Sequence, residues 1–179
     1  MKGKRLAFID IETTGIHPEK HEIIELACVL VDEDGAGYRV VDEFEMKVKP
    51  IHLETAEPDA LRVNGYNDGD WLFACSLTEA LTHLAKKCDG AVMVAQNVSF
   101  DYGFIAKGFH VVGVADPFFY AKLDTIPMAY VRHRDNPRLT SYTLRSLCEF
   151  YGVKNAQAHT ALADARATFE VFKMLMSGK

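Results

Sequence analysis

The chain predicts an α/β fold, a mixed sheet with helices on its faces, and three observations carry that prediction. Strand-length apolar runs open the chain and follow one another across short turns, the pattern of an antiparallel meander. From Ser76 onward, stretches with helical apolar spacing surround the short apolar run Ala91 to Ala95, the pattern of β-α units. The 179 residues suit one domain, 1–179, long enough to bury a real core.

The first strand runs from Leu6 to Ile11 and ends in Asp10, Glu12 and a glycine turn at Gly15. Gly15 to Lys20 is polar and carries Pro18, so it reads as a turn. Ile23 to Val31 (IIELACVLV) reads as a strand covered on both faces. Asp32 to Gly37 reads as a hairpin loop, and Tyr38 to Lys49 as the third strand, closed by Pro50. Glu57 to Val63 predicts a short helix with Gly65 as its C-terminal cap. Ser76 to Cys88 predicts a longer one, with Ser76 and Glu79 at capping-box spacing and Leu77, Leu81 and Leu84 as its stripe. Ala91 to Ala95 is a buried strand. Asn97 or Ser99 caps the next helix, with Phe100, Phe104 and Ile105 inward. Pro117 to Tyr120 reads as a further short strand, and Asp124-Thr125 opens a helix to about Val131. A helix from about Tyr142 to Tyr151 follows, with Leu144, Leu147 and Cys148 apolar. After the flexible-looking Gly152 to Ala158, the last helix spans Ala161 to Met176, with Leu162, Ala165, Phe169, Phe172 and Met176 on its stripe.

Composition is that of a globular protein: 49% hydrophobic and 25% charged residues, with no apolar run long enough to cross a bilayer. The basic start, Met1 to Arg5, leads into a segment interrupted by Asp10 and Glu12, which argues against a signal peptide. Cys28, Cys75, Cys88 and Cys148 form no CxxC pair and read as reduced thiols of a cytoplasmic protein. A net charge of −5 argues against a large basic nucleic-acid footprint, but cations held among the acids would reverse the local field. Arg132, Arg134 and Arg138 form a compact basic cluster, read as a solvated loop or as a contact to a phosphate backbone.

Side chains alternate along a strand, so Asp10 and Glu12 share a face, about 7 Å apart. Two readings stand level: acids facing water at a strand end, or a pair held by a divalent cation. Asp101 and Asp164 each fall near a predicted helix start, where the helix dipole alone would account for an acid. His159 falls on the loop before the last helix, with Thr160 as candidate N-cap, a placement that suits a general base near neutral pH.

Taken together, Phe8-Ile9-Asp10-Ile11-Glu12-Thr13-Thr14-Gly15, Asn97-Val98-Ser99-Phe100-Asp101 and His159-Thr160-Ala161-Leu162-Ala163-Asp164 resemble the DEDDh family of 3′–5′ exonucleases, which includes polymerase III proofreading subunits, ribonuclease T and oligoribonuclease. The resemblance spans almost the whole chain. It implies a ribonuclease H-like fold with a five-stranded mixed sheet. It implies that Asp10, Glu12, Asp101 and Asp164 hold two Mg²⁺ ions, with Mn²⁺ as a substitute, that His159 is the base, and that nucleoside 5′-monophosphates are released from the 3′ end of single-stranded DNA or RNA. It also implies substrate contacts at Thr13, Thr14, Ile16, Asp59, Asn64 and Phe100. Ile16 reads equally as a wedge beside the terminal bases or a core-facing loop residue, and Phe100 as a base-stacking or a core side chain. The chain departs from the family at Asn64 and Gln96, where many relatives carry His; this touches nucleotide binding more than chemistry. Asp124 reads as a helix cap rather than a catalytic acid.

Competing readings are a non-catalytic nucleic-acid or polymerase-binding module and an oligonucleotide scavenger. Retention of all five family residues weighs against the former. The end of the sequence soon after the last helix leads to the expectation of a stand-alone nuclease rather than a DNA polymerase subunit, with a homodimer left open.

Overall fold

The structure, a computed structural model, describes residues 3–35 and 37–177; Met1, Lys2, Ala36, Gly178 and Lys179, and with them parts of the predicted basic start and hairpin tip, lie outside the described residues. The meander forms as expected. β1 (Leu6–Thr13) pairs antiparallel with β2 (Ile23–Asp34), and β2 with β3 (Gly37–Lys47). The predicted loop Asp32 to Gly37 is shorter than expected, because pairing continues to Asp34 opposite Gly37 and the left-handed Gly35 makes the turn. α1 (Pro58–Val63) and α2 (Leu77–Lys87) follow, the latter with its capping box in place. β4 (Val92–Ala95) then joins β1 in parallel, and α3 (Val98–Val112) leads away from it. β5 (Leu123–Asp124), α4 (Thr125–His133), α5 (Leu144–Tyr151) and α6 (Ala161–Met176) complete the fold. The sheet is five-stranded, in the order β3-β2-β1-β4-β5.

Strand alternation sorts the core into layers. Ala7, Ile9 and Ile11 face α2 and α3, packed with Leu81, Leu84, Phe104 and Ile105. Leu6 and Phe8 face the other way, onto Ala165, Phe169 and Phe172 of α6. A third cluster, with Ala129, Leu147 and Val171, joins α4, α5 and α6. Asp10 and Glu12 continue the row of Leu6 and Phe8, and therefore emerge on the α6 side at the end of the sheet's middle strand.

Four local expectations are corrected. Pro117 to Tyr120 is not a strand: the Pro117 carbonyl accepts from the Gly90 amide and the Phe119 amide donates to the Ala91 carbonyl, both at 2.8 Å just before β4, but the Phe118 amide turns to the Asp116 carboxylate at 2.9 Å, and the ladder with β4 itself is made by Leu123–Asp124. Neither Asn97 nor Ser99 caps α3 with its side chain; the Asp124 carboxylate accepts from the Asn97 and Val98 amides at 3.2 and 3.0 Å, besides capping its own helix at Ile126. Thr160 makes no cap bond to α6. Met176 is 53% exposed, and Leu175 takes the buried place on that face.

Candidate active site

The β1 acids acquire their partners from two helices that start at the same end of the sheet. Asp101, in the first turn of α3, is 3% exposed and accepts a hydrogen bond from the Ile11 amide at 3.2 Å, which docks α3 onto the backbone between Asp10 and Glu12. Asp164, in the first turn of α6, adds its negative charge to both β1 acids. Burial raises the Asp10 carboxyl well above its usual range, and the nearby charges of Asp101, Asp164, Glu12 and Glu25 raise it further. Glu12 is pushed up to about 8, by burial first and then by Asp164 and Glu25. Burial likewise lifts Asp101 well above the usual range, against the hydrogen bond from Ile11, which lowers it.

His159 stands on the turn before α6 with a left-handed backbone, φ +71°. Its ring and carboxylate oxygens of Glu12 and Asp164 offer ligand atoms all within 4.8 Å of one another. His159 thus lies closer to the acids than a distant base would, and could itself ligate a cation. Asp164 also orders the loop that precedes it: its carboxylate accepts from the His159 amide at 3.2 Å and from the Asn155 side chain.

Glu25 is a member of this cluster that the residue patterns did not single out. It sits in the apolar run of β2, is 4% exposed, and lies directly across the ladder from Glu12. Burial pushes it to about 7 against the hydrogen bond it accepts from Ala161. The one signal it offers in sequence is a lone acid inside a strand otherwise read as buried.

The surrounding turn divides the predicted substrate residues. The Thr13 hydroxyl donates to the Gly15 carbonyl at 2.7 Å, and the Thr14 hydroxyl accepts from the Glu22 amide at 2.9 Å, so both hydroxyls are hydrogen-bonded within the fold. Asn64 is also committed inward, donating to the Thr13 carbonyl at 3.0 Å and accepting from the Tyr66 amide. These three side chains are therefore hydrogen-bonded within the fold and shape the rim of the turn. Ile16 is 62% exposed, which removes its core-facing reading. Asp59 is exposed and pairs with Arg62 at 3.0 Å. Phe100 is half-buried against Phe104, ring centroids 5.1 Å apart, on the edge of the core. Gln96 bridges the Tyr142 carbonyl and the Thr125 hydroxyl, a structural tie. The arginine cluster divides too: Arg132 donates to the Leu175 carbonyl at 2.9 Å, Arg134 pairs with Asp135, and Arg138 lies over the Phe150 ring.

A cavity of about 430 Å³ between α5 and the His159 turn opens onto His159 and Asp164. A larger one, about 550 Å³, lies away from the acids between the Pro18–Ile23 turn, α2 and α3; the carboxylates, not the larger volume, mark the site. The charges that act most on Asp10 are all negative, and the carboxylates that carry them offer oxygen donors. That donor set fits hard divalent cations, whose positive charge would relieve the crowding. No helix among the described residues is long and apolar enough to cross a membrane.

The chain is similar to proteins of known structure and sequence. Escherichia coli exonuclease I in complex with a dT13 oligonucleotide superposes with a TM-score of 0.81 at 20% identity, over 97% of this chain and 41% of that one. The same enzyme with a dA16 oligonucleotide gives 0.82 at 20% identity, over 98% and 41%. The likeness shows the ribonuclease H-like fold, as expected. The DNA polymerase III PolC-type of Caldanaerobacter subterraneus subsp. tengcongensis is 33% identical over 177 residues, and that of Staphylococcus aureus 31% over 180 residues. The chain spans only 12% of the length of either polymerase. A family model described as an exonuclease, RNase_T, matches residues 7–172. Because that match runs from the head of β1 into the last turns of α6, across every acid of the cluster, the chain belongs to the RNase_T exonuclease family, a family of hydrolytic nucleases.

Proposed function

We propose that residues 1–179 form one two-metal-ion 3′–5′ exonuclease domain that trims single-stranded DNA and releases nucleoside 5′-monophosphates. The observation that carries this reading is the convergence of Asp10, Glu12, Asp101 and Asp164 with His159 at one end of the sheet. DNA is favoured over RNA because the relatives are DNA polymerases and the structural neighbours carry DNA oligonucleotides. The free thiols and the polymerase relatives support a cytoplasmic location.

Asp10, Glu12, Asp101 and Asp164 would hold two Mg²⁺ ions, or Mn²⁺ in their place. When bound, such ions polarise the phosphoryl oxygens and make water a competent nucleophile near neutral pH. His159 accepts the proton of the attacking water at a ring nitrogen. The water oxygen bonds to phosphorus, the P–O3′ bond breaks, and the 3′-oxygen of the shortened strand takes up a proton. Exposed Ile16 and the turn held by Thr13, Thr14 and Asn64 set the terminal nucleotide, with Asp59 and Phe100 at the rim.

With a 5′-labelled single-stranded oligonucleotide and Mg²⁺, the protein should produce a ladder shortened from the 3′ end. His159→Ala should lower kcat by roughly 10²–10⁴-fold with the fold intact. No metal-dependent shortening of DNA or of a matched RNA by the wild type would falsify the proposal. If RNA is trimmed and DNA is not, the DNA assignment falls. The PolC-type relatives favour a second reading, proofreading for a polymerase. There, a mismatched primer end should be trimmed faster than a matched one, and adding a purified PolC-type polymerase should raise the rate.

A further inference from the structure

We propose that Glu25, helped by Glu45, is a positioning residue: it pins the start of α6 to the sheet and so holds His159 and Asp164 over Asp10 and Glu12. The inference rests on the exonuclease reading above.

The first N–H groups of a helix need acceptors, and Thr160, at the N-cap of α6, is the local candidate. Its hydroxyl instead donates to the Gln157 carbonyl at 3.1 Å. The acceptors come from the sheet. Glu25 Oε1 accepts from the Ala161 amide at 2.8 Å, and Glu45 Oε1 from the Leu162 amide at 3.1 Å. One turn further on, Arg166 Nε donates to Glu43 at 3.0 Å. Three acids of β2 and β3 therefore fasten the first two turns of α6.

A local cap would satisfy the same amides at a smaller desolvation cost than a buried acid. It would leave the helix free to slide over its apolar face, because Phe8, Phe169 and Phe172 make non-directional contacts. A cap reaching across from the sheet fixes both the helix end and its position. Ala161 and Asp164 are three residues apart, on neighbouring positions of one face, so pinning Ala161 places Asp164. Glu25 also stands directly opposite Glu12, where a second acid is unfavourable by itself. Lys47, its partner on the other side in the ladder, offsets part of that charge. The same arrangement recurs at α3, where Asp124 from β5 caps the helix that carries Asp101.

The test uses the full chain and the variants Glu25→Ala, Glu25→Gln and Glu45→Ala. It reads steady-state kinetics, Mn²⁺ affinity without substrate, and hydrogen exchange of the Ala161 and Leu162 amides. Glu25→Ala should lower kcat and Mn²⁺ affinity by roughly 10–100-fold, with KM for the oligonucleotide little changed. Glu25→Gln should recover most of both, since its amide oxygen still accepts from Ala161. Ala161 should exchange faster in Glu25→Ala, and Leu162 in Glu45→Ala. The proposal is overturned if Glu25→Ala keeps wild-type kcat and Mn²⁺ affinity, or if Glu25→Gln is as impaired as Glu25→Ala. Should Glu25→Ala fail to fold, wild-type kcat and Leu162 exchange in Glu45→Ala would overturn it instead. A wild type without metal-dependent trimming would defeat the exonuclease reading, while Mn²⁺ affinity and amide exchange would still decide whether the clamp exists.

Discussion

Asp101 lies one turn into α3, where the helix dipole alone would account for an acid. Its carboxylate instead holds the Ile11 amide, so it is at once a strut and a charge. The two roles separate by substitution. Asp101→Asn keeps an acceptor for Ile11 and should fold with nearly wild-type thermal stability while losing metal-dependent trimming; Asp101→Ala should lose both. Thermal melts alongside the oligonucleotide assay would show whether the roles part in this way. Gly15 is the other residue whose reason is visible only in space. A Cβ there would sit 2.4 Å from the ring of buried His21. That ring accepts from the His17 amide at 2.9 Å, and the Glu57 amide donates to the Thr14 carbonyl at 2.8 Å, which ties the turn to the start of α1. Gly15→Ala should destabilise the protein by about 1–3 kcal/mol through overpacking, measured by urea unfolding, and should slow trimming by displacing Ile16. Unchanged stability would show that the turn has room to spare.

At the scale of elements, helix caps mark the boundary of what local sequence can specify. The α2 capping box, Ser76 with Glu79, lies within four consecutive residues and was legible. The caps of α3 and α6 come from Asp124 and Glu25, 26 and 136 positions away in the chain, and no window of sequence contains both partners. The short fifth strand was misplaced for a similar reason, since its pairing with β4 is a long-range contact and its own two residues carry little pattern. Asp124 serves two helices. Asp124→Ala removes side-chain caps worth about 1 kcal/mol each, so a loss near 2 kcal/mol is expected in denaturant unfolding. A loss no larger than a single surface substitution would mean that water replaces the carboxylate at both helix ends.

For the whole molecule, the acid cluster links stability to pH and to metal. Glu12 and Glu25 ionise near 8 and 7 in the folded protein, against an ordinary 4.5. Between those values the folded state binds more protons than the unfolded one, so stability falls as pH rises. The metal-free protein should therefore show a melting temperature that declines from about pH 5 to about 8. Divalent cations compete with those protons, so the rise in Tm on adding Mn²⁺ should be larger near pH 8 than near pH 5.5. Melts in chelator and in Mn²⁺ would test this; a metal-free Tm that climbs over the range, or a Mn²⁺ effect independent of pH, would contradict it.

The α/β class, the meander and the span of the last helix are legible in the chain's own residues, as are the five residues whose motifs resemble those of the exonuclease family. Apolar periodicity and short motifs are local properties, and alternation along β1 already places Asp10 and Glu12 on one face. Only the tertiary structure decided that Thr13, Thr14 and Asn64 face inward, that Ile16 faces out, that Arg132 leaves the basic cluster for the end of α6, and that Glu25 joins the acids. Each of these depends on a hydrogen bond or a burial made between distant segments, and that partner is chosen by the packing of the sheet against its helices rather than by the residue's own neighbours.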